Sequence, residues 1–172
     1  MAVNAYLNFT HYDGTTLTSE SQNTVHPGLS EVSVFSFDIE QVLNIGSASS
    51  GVGAGKVTFN PFSITRNVDI NSPILYQMCC SGTPFQSVEL ALRRATGAPQ
   101  DYLVFTFKLV AVRTISWAEA YEGPVEVVTF EYGGLDISYN KQNPDGTYVA
   151  TPAFAGWNRV KNVADTATAP IP

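Results

Sequence analysis

Charge is scarce in this chain of 172 residues. Asp, Glu, Lys and Arg supply only 14% of it, against roughly a quarter in ordinary soluble domains, so much of its surface must be uncharged. The charge that exists leans acidic, with a net value of −6, and the one basic pair, Arg93-Arg94, is no patch. A nucleic-acid binder needs clustered cations to displace counterions from phosphates, so that class is excluded. Cysteine is nearly missing: Cys79 and Cys80 are adjacent, which rules out a disulfide framework and leaves too few ligands for a structural zinc site. Long apolar runs are missing too, since nothing approaches the ~18 residues of a membrane-spanning helix. The opening MAVNAYLNF has neither the positive start nor the apolar centre of a secretory signal peptide. The expectation is a chain made and folded in the cytoplasm, with reduced thiols and no membrane anchor.

What is present is alternation. From Glu31 to Ile45 the residues Phe35, Phe37, Ile39, Leu43 and Ile45 share one face, and Ser36, Asp38, Glu40 and Asn44 share the other. A two-residue period of this kind belongs to strands with one buried and one wet face. Similar runs, rich in β-branched and aromatic residues, cover Ala2 to Phe9, Lys56 to Thr65, Ser87 to Arg94, Tyr102 to Trp117, Val125 to Tyr139 and Tyr148 to Val160. The length and even composition indicate one domain, residues 1–163. Residues 164–172, which lack a core-forming pattern, are expected to form a mobile tail.

One helix interrupts the strands, over 72–81. Asn71 or Ser72 can cap it, Pro73 suits its first turn and Gly82 can end it. Ile74, Leu75, Met78 and Cys79 then share the face that packs on the sheets. Gly133-Gly134 marks a bulge or bend inside a long strand, and Asn143-Pro144-Asp145-Gly146 reads as a turn. Two polar segments, Asp13 to Ser30 and Gly46 to Gly55, carry no periodic pattern; the first is long for a loop without a function.

Chemistry is hard to find. The stretch SGVGAGKVT holds Gly51, Gly53, Gly55 and Lys56, but a phosphate-cradling loop needs a glycine where Ser50 stands and a magnesium-binding hydroxyl where Val57 stands. A strand-like run follows it, not a helix whose amides could hold an anion. His11 and His26 have no partners at metal-ligand spacing. Asp38 and Glu40, two apart on one strand face, are the only carboxylate pair fit for acid and base work on a glycan, and a solvated strand face explains them as well. No G-x-S-x-G motif occurs. The residues therefore indicate neither enzyme nor cofactor. A carbohydrate-binding β-sandwich would use Trp117 or Trp157 as an exposed stacking surface, although a lone Trp in a strand is more often an anchor of a core or interface.

A set of motifs in order resembles one known family. They are a glycine-rich loop ending Gly-Lys-Val, then FSITRNVD, a helix opening Ser-Pro and closing Cys-Ser-Gly, VELALRRATG, YLVFTFKLVAVRTI, and GWN near the C-terminus. From Ala2 to Val163 the chain resembles the haemolysin-coregulated protein (Hcp) family, the inner-tube subunits of type VI secretion systems. The resemblance implies a mainly β fold, a small β-barrel of two antiparallel sheets with the helix at its side. It also implies homohexameric rings stacked into a tube, with contractile sheath proteins around it, a spike protein at its tip and small effector proteins in its lumen. The chain would be assembled in the cytoplasm and then exported. An effector-bearing member would need a further domain, for which the residues after Ala164 leave no room. Phe35-Ser36-Phe37 matches the family's lumen-lining element, which implies that Ser36, Asp38 and Glu40 face the channel and its cargo. The loop from Asp13 to Ser30, with His26 and Gly28, corresponds to an extended loop that reaches a neighbour. Gly51, Gly53, Gly55 and Lys56 are assigned by position to a second subunit contact.

Overall fold

The computed structural model describes residues 3–44, 53–54, 57–94 and 100–165. The fold is mainly β, in antiparallel sheets with one short helix. The N-terminal strand β1, Val3–Thr10, pairs on one side with β9, Phe85–Arg94, and on the other with the short β2, Ser30–Val32. On the far side of β9 lies β10, Asp101–Ala120, which pairs along its whole length with β11, Gly123–Tyr139.

β11 has two partners in succession. Its Val125–Phe130 half pairs with β8, Phe62–Asn67, and its Gly134–Tyr139 half pairs with β12, Ala153–Asn158. The change falls at Gly133, as the Gly133-Gly134 pair led us to expect. There Leu109, at φ 50°, stands opposite Gly133 between the pairs Lys108–Gly134 and Val110–Tyr132, and the register of the ladder shifts only further along, between Val112 and Thr114. A Cβ on Gly133 would lie only 3.0 Å from the Leu109 side chain, so glycine is what lets the two strands bend together.

The segment from Glu31 to Ile45 is not one strand. It begins as β2, continues as β3, Val34–Ser36, against β8, then as β4, Ile39–Glu40, against β7, Thr58–Phe59, and as β5, Leu43–Asn44, against β6, Gly53–Ala54. Alternation persists across these changes of partner, but a ladder cannot, so the strand breaks each time. Ser33 marks the first change, its N–H donating to the Thr65 carbonyl at 2.9 Å. Ser30–Ser36 thus crosses from β1 to β8 and wraps the main sheet towards a barrel, which the ladders do not close.

Phenylalanine fills the interior. Phe62 and Phe107 stack at 4.1 Å between ring centres, Phe37 meets Phe107 edge-on at 5.3 Å, and Phe9, Phe59, Phe85 and Phe130 are buried with them. The helix α1, Ser72–Ser81, follows the expected bounds and packs Leu75 and Met78 inward. Asn71 caps it, Pro73 sits in its first turn and Gly82 ends it at φ 68°, as expected, but the cap side chain is used elsewhere. Asn71 makes no side-chain cap, because its amide donates to Ser30 Oγ at 3.3 Å, and Ser72 Oγ accepts the Asp69 N–H at 3.1 Å.

The C-terminal part also departs from the expected tail. Val163–Asp165 form β13, paired with Gly156–Asn158 of β12, so Ala164 and Asp165 belong to the sheet. Residues 166–172 lie outside the described residues.

Candidate assembly surface

The residues expected to face a channel lie together on the surface. Phe35 and Phe37 pack against the core while Ser36, Asp38 and Glu40 are exposed, because alternate side chains leave opposite sides of the pleat. Asp38 is held in place from both directions: its carboxylate accepts the Asn60 side-chain amide at 2.6 Å, and its carbonyl accepts the Asn60 N–H at 3.0 Å. Glu40 lies opposite Thr58 in the β4–β7 ladder. Asp38 and Glu40 are thus separately placed surface carboxylates rather than a pair enclosed in a cleft.

From here the chain runs into two short ladders separate from the main sheet, β4 on β7 and then β5 on β6, which together form an arm anchored to the core by Phe59. Gly53 pairs with Asn44 in its outer rung. Gly51, Gly55 and Lys56 lie outside the described residues. At the foot of the arm is an apolar cleft of about 660 Å³, lined by Ile39, Val57 and Phe59 on one side and by Leu135, Ile137 and Trp157 on the other. Trp157 packs against the core rather than standing out for a sugar. Trp117 is half-exposed, but its indole N–H donates to Glu126 at 3.0 Å.

The loop from Asp13 to Ser30 lies on its own barrel. Ser19 Oγ donates to Asp69, Asn23 Nδ2 donates to the Tyr6 hydroxyl at 2.8 Å, and the Ile70 N–H donates to Glu20 at 3.1 Å. His26 is only 11% exposed, with Nε2 2.7 Å from Asp101 and its ring 4.7 Å from that of Tyr6. Gly28, at φ 70°, closes the bend with its N–H on the Ser21 carbonyl. These bonds fix the loop's course over β1, the start of β10 and the approach to α1.

Two buried charge networks escaped the sequence reading. Arg66 bonds Glu126 and Asp69, both at 2.7 Å, and donates to Ser30 Oγ at 3.0 Å. Lys108 reaches Asp136 at 2.7 Å and Asp165 at 3.0 Å. Burial pushes the Asp136 carboxyl above its ordinary range, against the pull of Lys108. Burial also draws the Lys108 ammonium down, but its two carboxylate partners outweigh that and hold it above the usual lysine range. The signal for the first network was in the strand period: Arg66 has the parity of Phe62 and Ile64, and Glu126 that of Val128 and Phe130. A charge at an inward position requires a buried partner.

Residues 6–139 match the family model described as "Type VI secretion system effector, Hcp". The chain is 32% identical over 111 residues to Protein hcp1 of Pseudomonas aeruginosa, an alignment that covers 63% of this chain and 68% of the relative. Among solved structures, a type six secretion system protein aligns with TM-score 0.86 at 22% identity, covering 95% of this chain and all of the other. Hcp1 from Salmonella typhimurium aligns with TM-score 0.73 at 22% identity, over 95% and 100% of the two chains. At such identities the structural likeness speaks for the fold alone.

Proposed function

Because this chain belongs to the Hcp family of type VI secretion proteins, we propose that it is the ring-forming subunit of a secretion tube. Six copies close a ring, rings stack head-to-tail, and the stack forms a hollow tube inside a contractile sheath with a spike at its tip. Small effector proteins travel in the lumen, against the polar row Ser36, Asp38 and Glu40, and the tube leaves the cell with them. The reading gives this chain no catalytic step and no cofactor.

The arm carries this reading: two short ladders, β4–β7 and β5–β6, that stand apart from the main sheet, with an apolar cleft beside them. Ring closure needs heterologous contacts, one face of a subunit meeting a different face of the next. Interface centres are poor in charge, which fits a chain with 14% charged residues and exposed Val34, Ile39, Val42 and Phe154. On this reading the arm, with Gly53 and the neighbouring Gly51, Gly55 and Lys56, meets the next subunit or ring. The bend at His26 and Gly28 lends its outer surface to a neighbour while remaining bound to its own barrel.

Mass in solution and negative-stain imaging of the purified chain test it. Rings of about six subunits with a central hole are expected from closed cyclic assembly. A strict monomer at high concentration would sink the reading.

A further inference from the structure

A row of residues crosses the end of the main sheet. In register, Thr106 on β10 faces Asp136 on β11, Asp136 faces Gly156 on β12, and Gly156 faces Asp165 on β13. Alternation directs this row away from the face on which Phe107, Leu135 and Trp157 join the core. Lys108, two residues from Thr106, shares the row's side, and its ammonium bonds both Asp136 and Asp165. Gly156 provides the gap through which the carboxylates and the ammonium meet: a Cβ there would collide with Asp136 Oδ1 and lie 2.7 Å from the Asp165 carbonyl oxygen. Lys108 and Asp136 are 2% and 3% exposed, whereas Asp165 is 21% exposed. A cation fixed to the body of the sheet thus holds a carboxylate on a peripheral strand.

That strand has the marks of an element that can leave. β13 has three residues in register with β12, its Val163 is exposed, and the short turn before it passes through Asn162 at φ 55°, a left-handed conformation that asparagine adopts more readily than most residues. Only Arg159 to Asn162 join β12 to β13, and a short hinge of this kind permits exchange of an element between identical chains. An uncovered β12 would offer a row of unpaired backbone groups, which readily takes up a foreign strand.

We propose that β13 is an exchangeable strand: the Lys108–Asp136 clasp accepts Val163–Asp165 either from its own chain or from a second copy, making the β12 edge a further subunit contact. In both cases the incoming carboxylate meets the same ammonium through the same glycine gap, and only the hinge at Asn162 differs in course.

The test uses full-length chains and a capped peptide of residues 160–165, VKNVAD, with hydrogen-exchange protection of the Gly156–Asn158 amides as readout. Asp165→Asn is expected to lower that protection about tenfold, as a local opening separate from the rest of the sheet, while Phe62–Asn67 is unchanged. Excess peptide restores it, the same peptide ending in Asn does not, and parent chains added in trans restore it increasingly with concentration. Adding Lys108→Met to Asp165→Asn abolishes rescue. Because that change leaves Asp136 buried without its cation and can unfold the chain, Val163→Pro serves as a second variant: it weakens β13 at an exposed position and leaves the clasp charges in place. It must also lose protection and be rescued by VKNVAD. Unchanged protection in Asp165→Asn, equal rescue by both peptides, or no rescue in trans overturns the proposal. The readout does not depend on ring formation, so its failure would leave the tube reading standing.

Discussion

Arg66 and Glu126 form an ion pair at 2.7 Å with side chains 1% and 0% exposed, and each is tied to a different part of the fold. Arg66 also bonds Asp69, Ser30 and Ser72, at the entrance to α1 and the start of β2, while Glu126 accepts the Trp117 indole N–H. Removal of one partner leaves a buried charge uncompensated, which costs about 3–5 kcal/mol, whereas replacing both with apolar residues of similar volume can be neutral. Arg66→Met alone and Glu126→Leu alone are therefore expected to lower the urea midpoint strongly. The double variant should recover much of the loss, and additive losses would show that the pair is not coupled.

Gly156 stands in the other network. Gly156→Ala places a methyl group against Asp136 Oδ1 and the Asp165 carbonyl, and overpacking of a filled site costs about 1–3 kcal/mol. Urea denaturation should show that loss together with early release of β13. A Gly156→Ala chain as stable as the parent would mean that the carboxylate can move aside freely.

The outcome shows what a strand period encodes. Inward and outward parity was legible from Phe35 to Asp38, where the aromatics pack inward and Ser36 and Asp38 are exposed, but it fails at Ile39, expected inward and found exposed beside Glu40 in a ladder that has left the main sheet. The helix was legible over 72–81, because its apolar spacing, Pro73 and Gly82 act locally. Changes of strand partner at Ser33 and between β3 and β4 were not, since they depend on where β1, β8 and β7 end. Nor was the course of the Asp13 to Ser30 loop: Ser19–Asp69 and His26–Asp101 join residues 50 and 75 positions apart, beyond the reach of any local pattern. Asp165 looked like tail sequence because its partner Lys108 lies 57 positions away.

Tyr132 gives the protein an alkaline limit. Burial, the largest cause, raises its phenol from 10.0 to about 12, and its hydroxyl donates to the Asn60 carbonyl at 3.1 Å. The unfolded chain loses this proton at its ordinary value, while the native chain keeps it to about 12. In that window the native state binds more protons, so stability falls as pH rises. Lys108, also raised, acts in the same direction. Tyr132→Phe should flatten the decline of the urea midpoint above pH 10 and remove a late-titrating phenol from the ultraviolet titration. An identical decline in the variant would exclude Tyr132 as its source.

The tube reading separates two surfaces that mutation can address independently. If Ser36 lines the channel, Ser36→Cys in a background of Cys79→Ser and Cys80→Ser should leave ring mass unchanged, and a gold-maleimide label should appear in the central hole of averaged images. Gold on the outer rim would place that face elsewhere. Gly53 pairs with Asn44 in the outer rung of the arm, so replacing Gly53 and Gly55 together with a bulky residue should shift the mass from rings towards monomers, or leave rings that no longer stack, while the urea midpoint stays near that of the parent. A barrel that keeps its stability but loses assembly is the signature of an interface. Normal rings and tubes from that variant would reduce the arm's glycines to a connector.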